Sequence, residues 1–398
     1  MYLRIDRVIY GTFITPISAL TLPYLLVLLT HILFHEALGF KSISPLSVFI
    51  WNLGTVLFWI GGLIIAKLFL KKKVVNPFEN ILGLDLKIKN LNFLVLLITI
   101  LFCLVLFYSL IINVLSMGYN SISTEAFATK FAGGGLFGHS LTLLRYILVY
   151  LIIVTSKKQY LTNLLILIII WFNLLYQVKG WLLIPVISGL LIRFVLLEEK
   201  NGGLSRTFFK KTLFISVLGF GFFALSYYIS LGSKVRFEFI FTHFFHYTWS
   251  GLIGFSEYLA SGIKMGEYVA EIFNPINNII NKISGLPVES ALNPNYFSTY
   301  IYYHKGSNVS TFIGSIFISS GPVLSVFICF FFAIVNYGIF INFLIKKTIF
   351  GLILYSFFLV GLFFGWFDFY FRHLIFYVII IITLLFNWLI YSGRKKSF

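Results

Sequence analysis

Charged residues are scarce in this sequence. Of its 398 residues, 11% are charged and 13 are acidic, whereas 59% are hydrophobic. The apolar residues fall in runs of about 20, which is the length that an α-helix needs to span a hydrocarbon core. Short segments of alternating polarity, which a transmembrane barrel requires, do not occur. The sequence therefore predicts an all-α polytopic membrane protein.

Cysteine is almost absent, and no group of residues has the spacing of a metal site. Cys103 and Cys329 both lie inside apolar runs, so they indicate neither a disulfide nor a metal ligand pair. His31 and His35 are four residues apart and share a helical face, but no third ligand is spaced to complete a site. A helix end at the membrane surface accounts for both histidines. We expect no metal and no cofactor.

The apolar runs predict about ten transmembrane helices in a single integral membrane domain, residues 1–398. The charged segment Met1–Arg7 precedes an apolar run that has no small-residue cleavage site, so we interpret that run as the first retained span. The candidate spans are roughly 11–34, 46–70, 91–117, 139–156, 160–177, 180–197, 212–231, 322–345, 348–366 and 372–392.

The basic residues lie mainly between the spans, on one side. If both termini are cytoplasmic, about 20 of the 30 Lys and Arg residues face inward and about 8 of the 13 acidic residues face outward, as the positive-inside rule predicts. The formal net charge of +17 is therefore explained by topology. A nucleic-acid partner is not expected.

One long segment, residues 232–321, is too polar to cross a bilayer and predicts a large periplasmic loop. Loops longer than about 15 residues are usually functional or disordered. Apolar residues at helical spacing predict an amphipathic helix over Gly251–Phe273. The Asn, Pro, Ser and Gly content of Asn274–Tyr296 predicts an irregular lobe. Small residues before Pro322 predict a short re-entrant half-helix over Thr311–Gly321.

Basic residues near the outer ends of the spans are candidates for anion binding. Arg145 lies about two turns inside the fourth span, where an unpaired guanidinium costs at least ~3 kcal/mol on insertion scales. It either snorkels outward or faces an internal anion, and the sequence leaves both open. Lys179 lies in a tight turn beside Trp181 and either anchors the interface or binds an anion. Asp368 and Arg372 are spaced to pair one turn apart.

The order of these features resembles the Wzy-type O-antigen polymerases, which are the oligosaccharide repeat unit polymerases. The likeness rests on the number of spans, the turn Lys179–Leu183 (KGWLL), the large outer loop, and Asn308–Gly314 (NVSTFIG) before a kinked span. The stretch Tyr247–Tyr258 is also similar to the aromatic loop segment of that family. The spaced Arg-and-Gly repeats of some members are not obvious in this sequence.

The resemblance implies a metal-independent inner-membrane glycosyltransferase that joins undecaprenyl-pyrophosphate-linked oligosaccharide units on the periplasmic face. The implied partners are the lipid-linked donor and acceptor, membrane lipids and a chain-length regulator of the polysaccharide co-polymerase type. An O-antigen ligase differs only in its acceptor. A polysaccharide flippase or other transporter is an alternative of a different class, and a structural scaffold also stays open. Polar groups concentrated at the outer surface, rather than at mid-span, favour an enzyme.

The chemistry of such a transfer assigns roles to residues at the outer surface. Fixed cations would hold the leaving pyrophosphate, and the acceptor hydroxyl needs a general base. Aromatic rings present flat, amphipathic surfaces to sugars. We expect His304 or Glu257 to be the base, Arg145, Lys179, Arg236, Lys305 and Arg372 to bind pyrophosphate, and Tyr296, Tyr300, Tyr303 and Asn308 to contact sugar.

Overall fold

The computed structural model describes residues 2–70, 74, 77–78, 91–155, 159–177, 179–200, 210, 217, 221, 224–225, 237–267, 269–288, 297–301 and 306–391. The chain divides into two compact units. Unit 1 comprises Met1–Pro77, Phe241–Ile345 and Phe358–Tyr377, and unit 2 comprises Phe78–Ile240, Lys346–Phe357 and Val378–Phe398.

Helices account for most of the described residues. In chain order they are α1 (Tyr2–Tyr10), α2 (Pro16–Phe34), α3 (Pro45–Phe69), α4 (Leu91–Met117), α5 (Glu125–Ala132), α6 (Gly135–Val154), α7 (Tyr160–Leu175), α8 (Lys179–Lys200), α9 (Phe237–Ala260), α10 (Val269–Ile272), α11 (Asn274–Ile283), α12 (Phe312–Lys346), α13 (Ile349–Phe363) and α14 (Leu374–Tyr391). The strands β1 (Phe297–Ser298) and β2 (Gly306–Ser307) pair antiparallel. Short 3₁₀ turns cover Tyr119–Ser123, Phe364–Trp366 and Tyr370–Arg372.

Several helices have the length and composition of membrane spans, and the expected all-α class is confirmed. Six described segments are long and apolar enough to cross a membrane: Pro16–Phe34, Pro45–Phe69, Leu91–Met117, Gly135–Val154, Phe312–Lys346 and Ile349–Trp366. Three shorter apolar helices, Tyr160–Leu175, Gly180–Leu196 and Leu374–Ile390, lie where three further spans are expected. The candidate span 212–231 falls almost entirely outside the described residues, so the count of ten stays a prediction.

In unit 1, small residues allow α3 and α12 to approach closely. A Cβ added at Gly54 would lie 2.5 Å from Cγ2 of Ile313, and one at Gly61 would lie 2.7 Å from the Cβ of Ala333. In lipid, the hydrophobic effect does not drive apolar helices together, so they commonly pack through small residues such as glycine that allow close van der Waals contact. The two glycines therefore fix the distance between α3 and α12.

The N-terminal helix α1 is attached to the same helix pair through a buried carboxylate. Asp6 has no exposed surface. Its Oδ1 accepts a hydrogen bond from Trp59 Nε1 at 3.0 Å, and its Oδ2 accepts one from the Tyr337 hydroxyl at 3.3 Å. Burial raises the pKa of the Asp6 carboxyl, and the hydrogen bonds that it accepts offset part of that rise.

Unit 2 is built around α6, which is buried along most of its length. The core residues of this helix run from Leu141 to Ile153. A Cβ at Gly189 of α8 would lie 2.8 Å from the Cβ of Ile152, so α8 also packs through a glycine. On another side of α6, the Tyr146 hydroxyl donates to the carbonyl of Phe350 in α13 at 3.4 Å.

The long loop differs from the sequence-based expectation in two places. A single helix over Gly251–Phe273 does not form, because α9 ends at Ala260 and Gly262 adopts a left-handed φ of +69°. The Ser261 N–H closes the end of α9 by donating to the Glu257 carbonyl at 2.9 Å. Where an irregular lobe is expected, α11 forms, and Pro275 occupies its first turn, where the missing N–H has no helical partner to lose.

The helix α12 is interrupted at Gly321, which has φ 71° and ψ 176°. Pro322 follows and has no N–H, so it cannot complete the helical hydrogen bond to the Ile318 carbonyl. Gly266 supplies the missing donor: its backbone N–H lies 3.0 Å from that oxygen. The expected half-helix is thus present as the helical segment 312–320, and its entry into the membrane stays a prediction.

Candidate functional site

In unit 1, the segment that precedes α3 contacts both the long loop and α2. The Lys41 N–H donates to the Thr299 carbonyl at 3.1 Å, and the Ile301 N–H donates to the Gly39 carbonyl at 3.0 Å. The Lys41 carbonyl lies 2.9 Å from His31 Nε2. Three polar segments distant in sequence are therefore held together at one place.

The side chain of Lys41 forms an ion pair with Glu257 of α9. The Lys41 side chain is 32% exposed and that of Glu257 is 26% exposed, so both groups stay accessible to a ligand. Glu257 is one of the two bases expected from the sequence. The structure shows that its carboxylate is paired with the ammonium group of Lys41. No local pattern pointed to Lys41, because 216 residues separate the two partners.

Nearer the start of α9, His246 is fixed by the loop. Its Nδ1 lies 2.9 Å from the Thr299 hydroxyl, and its ring is stacked on Tyr300 with centroids 5.7 Å apart. Tyr300 also packs on Phe40 at 4.2 Å and is only 5% exposed. Tyr300 is therefore packed inside unit 1, and its expected contact with a sugar stays a prediction. Burial raises the pKa of Tyr300 to about 12.

The pair predicted between α13 and α14 is present. Arg372 Nη2 donates to Asp368 Oδ1, and the two side chains are 5% and 6% exposed. Within the described part of the chain, Nε of Arg372 has no hydrogen-bond partner. Tyr370 lies in the same turn, and burial, reinforced by the charge of Asp368, raises its pKa. In this arrangement Arg372 neutralises a buried carboxylate, and its expected binding of pyrophosphate stays a prediction.

Arg145, in unit 2, lies inside the protein and does not snorkel into solvent. Only 5% of the surface of Arg145 is exposed. Nε donates to Asn173 Oδ1 at 2.6 Å, and the guanidinium carbon lies 5.0 Å from the centre of the Tyr176 ring and 6.0 Å from that of Trp181. Arg145 therefore sits beside the turn that joins α7 to α8.

The guanidinium of Arg145 lacks an acidic partner among the residues that the structure describes. It takes part in none of the salt bridges there, and its buried Nη2 has no hydrogen-bond partner. Aromatic faces stabilise a cation by about 0.5–2 kcal/mol, less than the several kcal/mol that burying an ion costs. This centre of positive charge is thus suited to an anion.

The remaining expected site residues are only partly described. Asn308 is half-buried and directly follows β2. Lys179 begins α8, but its side chain lies outside the described part. The roles expected of these residues stay predictions. The same holds for five residues that lie outside the described range: Arg236, Tyr296, Tyr303, His304 and Lys305.

No group of three His, Cys, Asp or Glu residues among the described ones is arranged to hold a metal ion. The candidate polar centres are the ion pair of Lys41 with Glu257 on α9, the buried Asp368–Arg372 pair after α13 and the buried Arg145 on α6. Their chemistry is that of acid–base groups and anion-binding cations.

A family model described as a family of unknown function (DUF6337) matches residues 39–396, so the chain belongs to that family. The match begins in the segment that carries Lys41 and extends past α14. Neither the curated proteins nor the solved structures include a match to this chain.

Proposed function

We propose that this member of DUF6337 is an oligosaccharide repeat unit polymerase of the bacterial inner membrane. It would transfer a growing chain from undecaprenyl pyrophosphate to the non-reducing sugar of a second lipid-linked unit, on the periplasmic face. The observation that carries the proposal is Arg145, a buried guanidinium with an unpartnered Nη2 and no acidic partner among the described residues. A lipid-linked diphosphate supplies the kind of anion that such a centre binds.

The transfer requires an anion-binding cation and a general base. The acceptor hydroxyl attacks the anomeric carbon, the bond from that carbon to the phosphate oxygen breaks, and the electron pair stays on the departing diphosphate. Arg145 would stabilise that negative charge. The proton of the hydroxyl passes to a base, for which the sequence nominates His304 first and Glu257 second.

The proposal is tested with purified protein in lipid nanodiscs supplied with a single lipid-linked repeat unit, without nucleotide sugar and with a chelator present. We expect a ladder of longer lipid-linked products on a gel. A requirement for nucleotide sugar or a divalent metal ion would show that the mechanism is wrong. Transfer to the lipid A core instead of a second repeat unit would identify a ligase, and movement of the lipid-linked unit across liposomes would identify a transporter.

The role of Arg145 is tested by Arg145→Gln with Arg193→Gln as a matched control. Both arginines lie in unit 2, and Arg193 donates from Nη1 to the Ile152 carbonyl at 2.8 Å. We expect Arg145→Gln to abolish the ladder and Arg193→Gln to retain it. Chain growth at the wild-type rate in Arg145→Gln would remove Arg145 from the site.

A further inference from the structure

The helix α11 carries an apolar stripe that no described part of the protein covers. Ile276, Ile279, Ile280 and Ile283 recur at the spacing i, i+3, i+4 and i+7, so they lie on one face of the helix. Their exposed fractions are 43%, 50%, 55% and 81%. Leu286 and Val288, which follow the helix, are also exposed. Contiguous exposed apolar surface of this kind marks a site of contact with another apolar body.

The other side of α11 is polar and is tied to its own loop. Asn277 Nδ2 donates to the Ala270 carbonyl at 2.6 Å, and Asn281 Nδ2 donates to the Pro287 carbonyl at 3.3 Å. Lys282 lies in the last turn. The helix is therefore amphipathic, with the isoleucines on one side and amides on the other, and its orientation is fixed at both ends.

The N-terminal end of α11 lies against the apolar surface of α12. Phe273, directly before α11, packs on Phe331 and Phe332 with ring centroids 5.7 Å and 6.2 Å apart. Phe331 is 45% exposed, and Phe327 and Val323 on the same helix are 65% and 74% exposed. Because α12 is long and apolar enough to span a membrane, these exposed side chains form its lipid-facing side. The isoleucine stripe begins next to that lipid-facing side.

We propose that α11 is an interfacial helix whose isoleucine stripe inserts between the headgroups and the acyl chains of the adjacent membrane leaflet. An amphipathic helix with an apolar face and a polar opposite face is suited to that position. Lipid is favoured as the occupant over a protein because the stripe continues the lipid-facing surface of α12. The inference does not depend on the glycosyltransferase proposal.

Insertion of α11 has a consequence for the turn between α13 and α14. The short helix α10, which directly precedes α11, contacts the 3₁₀ turn Tyr370–Arg372. Anchoring of α11 in the leaflet therefore holds this turn, with its Asp368–Arg372 ion pair, at a fixed depth relative to the lipid headgroups. A substrate that carries a lipid would approach the long loop at that depth.

The experiment places one fluorescent label on each side of the helix. Cys103 and Cys329 are buried and are replaced by alanine, after which Ile280→Cys or Lys282→Cys is introduced and labelled with an environment-sensitive dye. The full-length protein is reconstituted in vesicles of phosphatidylethanolamine and phosphatidylglycerol. We expect a lipid-borne nitroxide quencher near the headgroups to quench the label at 280 several-fold more than the label at 282. Aqueous iodide should show the opposite order.

Equal quenching of the two labels by the lipid-borne quencher, or strong iodide quenching at 280, would overturn the proposal. A second pair of results would also overturn it: both quenchers fail to reach position 280, and bismaleimide efficiently cross-links two Ile280→Cys chains. A second copy of the chain would then cover the stripe. Ile279→Ser with Ile283→Ser provides a further check at exposed positions. We expect this double variant to lower the lipid quenching at 280 while its circular dichroism and apparent Tm stay at the parent values.

Discussion

Gly251 of α9 lies directly against the backbone carbonyls of the turn that follows α13. A Cβ at this position would lie 2.7 Å from the Trp366 carbonyl oxygen and closer still to that of Phe367. Gly254, one turn further along α9, meets the Val309 carbonyl in the same way. The helix that carries Glu257 is thus placed by backbone contacts that only glycine permits.

The first prediction is that Gly251→Ala destabilises unit 1. Backbone oxygens cannot move aside as a flexible side chain does, so we expect a loss of about 1–3 kcal/mol in the free energy of unfolding. The measurement is denaturant unfolding in detergent, with Gly338→Ala as the control, because a Cβ at Gly338 meets no atom within 4 Å. Equal stability of the two variants would contradict the packing described for Gly251.

The second prediction concerns the buried pair Asp368–Arg372. Asp368→Asn leaves a buried guanidinium without its counter-charge, and we expect it to lower the free energy of unfolding by about 3–5 kcal/mol. The double variant Asp368→Asn, Arg372→Gln removes both charges and should recover a large part of that loss. The measurement is a double-mutant cycle from unfolding curves. Strictly additive losses would show that the two side chains act independently.

The third prediction separates stability from activity at Glu257. The Lys41–Glu257 pair is partly exposed, so Glu257→Gln should change the free energy of unfolding by no more than about 1 kcal/mol. If Glu257, and not His304, is the base, the variant loses the ladder. Glu267→Gln is the matched control, since Glu267 pairs with the more exposed Lys264 in the same loop. Wild-type chain growth in Glu257→Gln would leave His304 as the base.

The fourth prediction tests two residues that the sequence alone nominates. We expect His304→Ala and Arg236→Ala to keep the apparent Tm of the parent and to abolish the product ladder, because one would remove a base and the other a pyrophosphate-binding cation. Gel analysis of the products and a thermal scan of each variant suffice. A residue whose variant still extends chains normally has no place in the site.

The fifth prediction follows from the raised pKa of Asp6. Below the unfolded pKa of about 3.9 both states hold the proton, and above it the unfolded state loses the proton first. The contribution of Asp6 to stability therefore falls as pH rises through its folded pKa. Asp6→Asn stays neutral, so its apparent Tm relative to the wild type should increase from pH 4 to pH 8.

Glu36→Gln, at an exposed acid, is scanned over the same pH range as the control variant. A difference in apparent Tm between Asp6→Asn and the wild type that does not change with pH would mean that burial does not raise the pKa of Asp6. Comparing each variant with the wild type at the same pH cancels the titration of all other groups.

The local features that the sequence predicted correctly depend on neighbouring residues. The apolar runs predicted helices because a helix of about 20 apolar residues spans a hydrocarbon core and forms all its backbone hydrogen bonds within itself. The spacing of Asp368 and Arg372 predicted their contact, since residues four apart meet across one turn. The break before Pro322 followed from a ring that lacks an N–H. Each of these depends on a few adjacent positions.

The long loop shows where such local patterns fail. Helical spacing continued past Ala260, but Gly262 ended the helix, and the composition of Asn274–Tyr296 concealed α11. The sequence also did not show that Tyr300 packs against Phe40 and His246. Periodicity describes one helix at a time and does not show which segment packs against it.

The sequence by itself determined that this chain is an all-α protein with several helices fit to span a membrane, because hydropathy and helix length are properties of consecutive residues. Only the tertiary structure decided which charges meet: Lys41 with Glu257 across 216 positions, and Arg145 with Asn173 and two aromatic rings instead of an acid. Partners of a buried charge are chosen by the packing of distant segments, and that packing is set by close contacts such as those at Gly54 and Gly251.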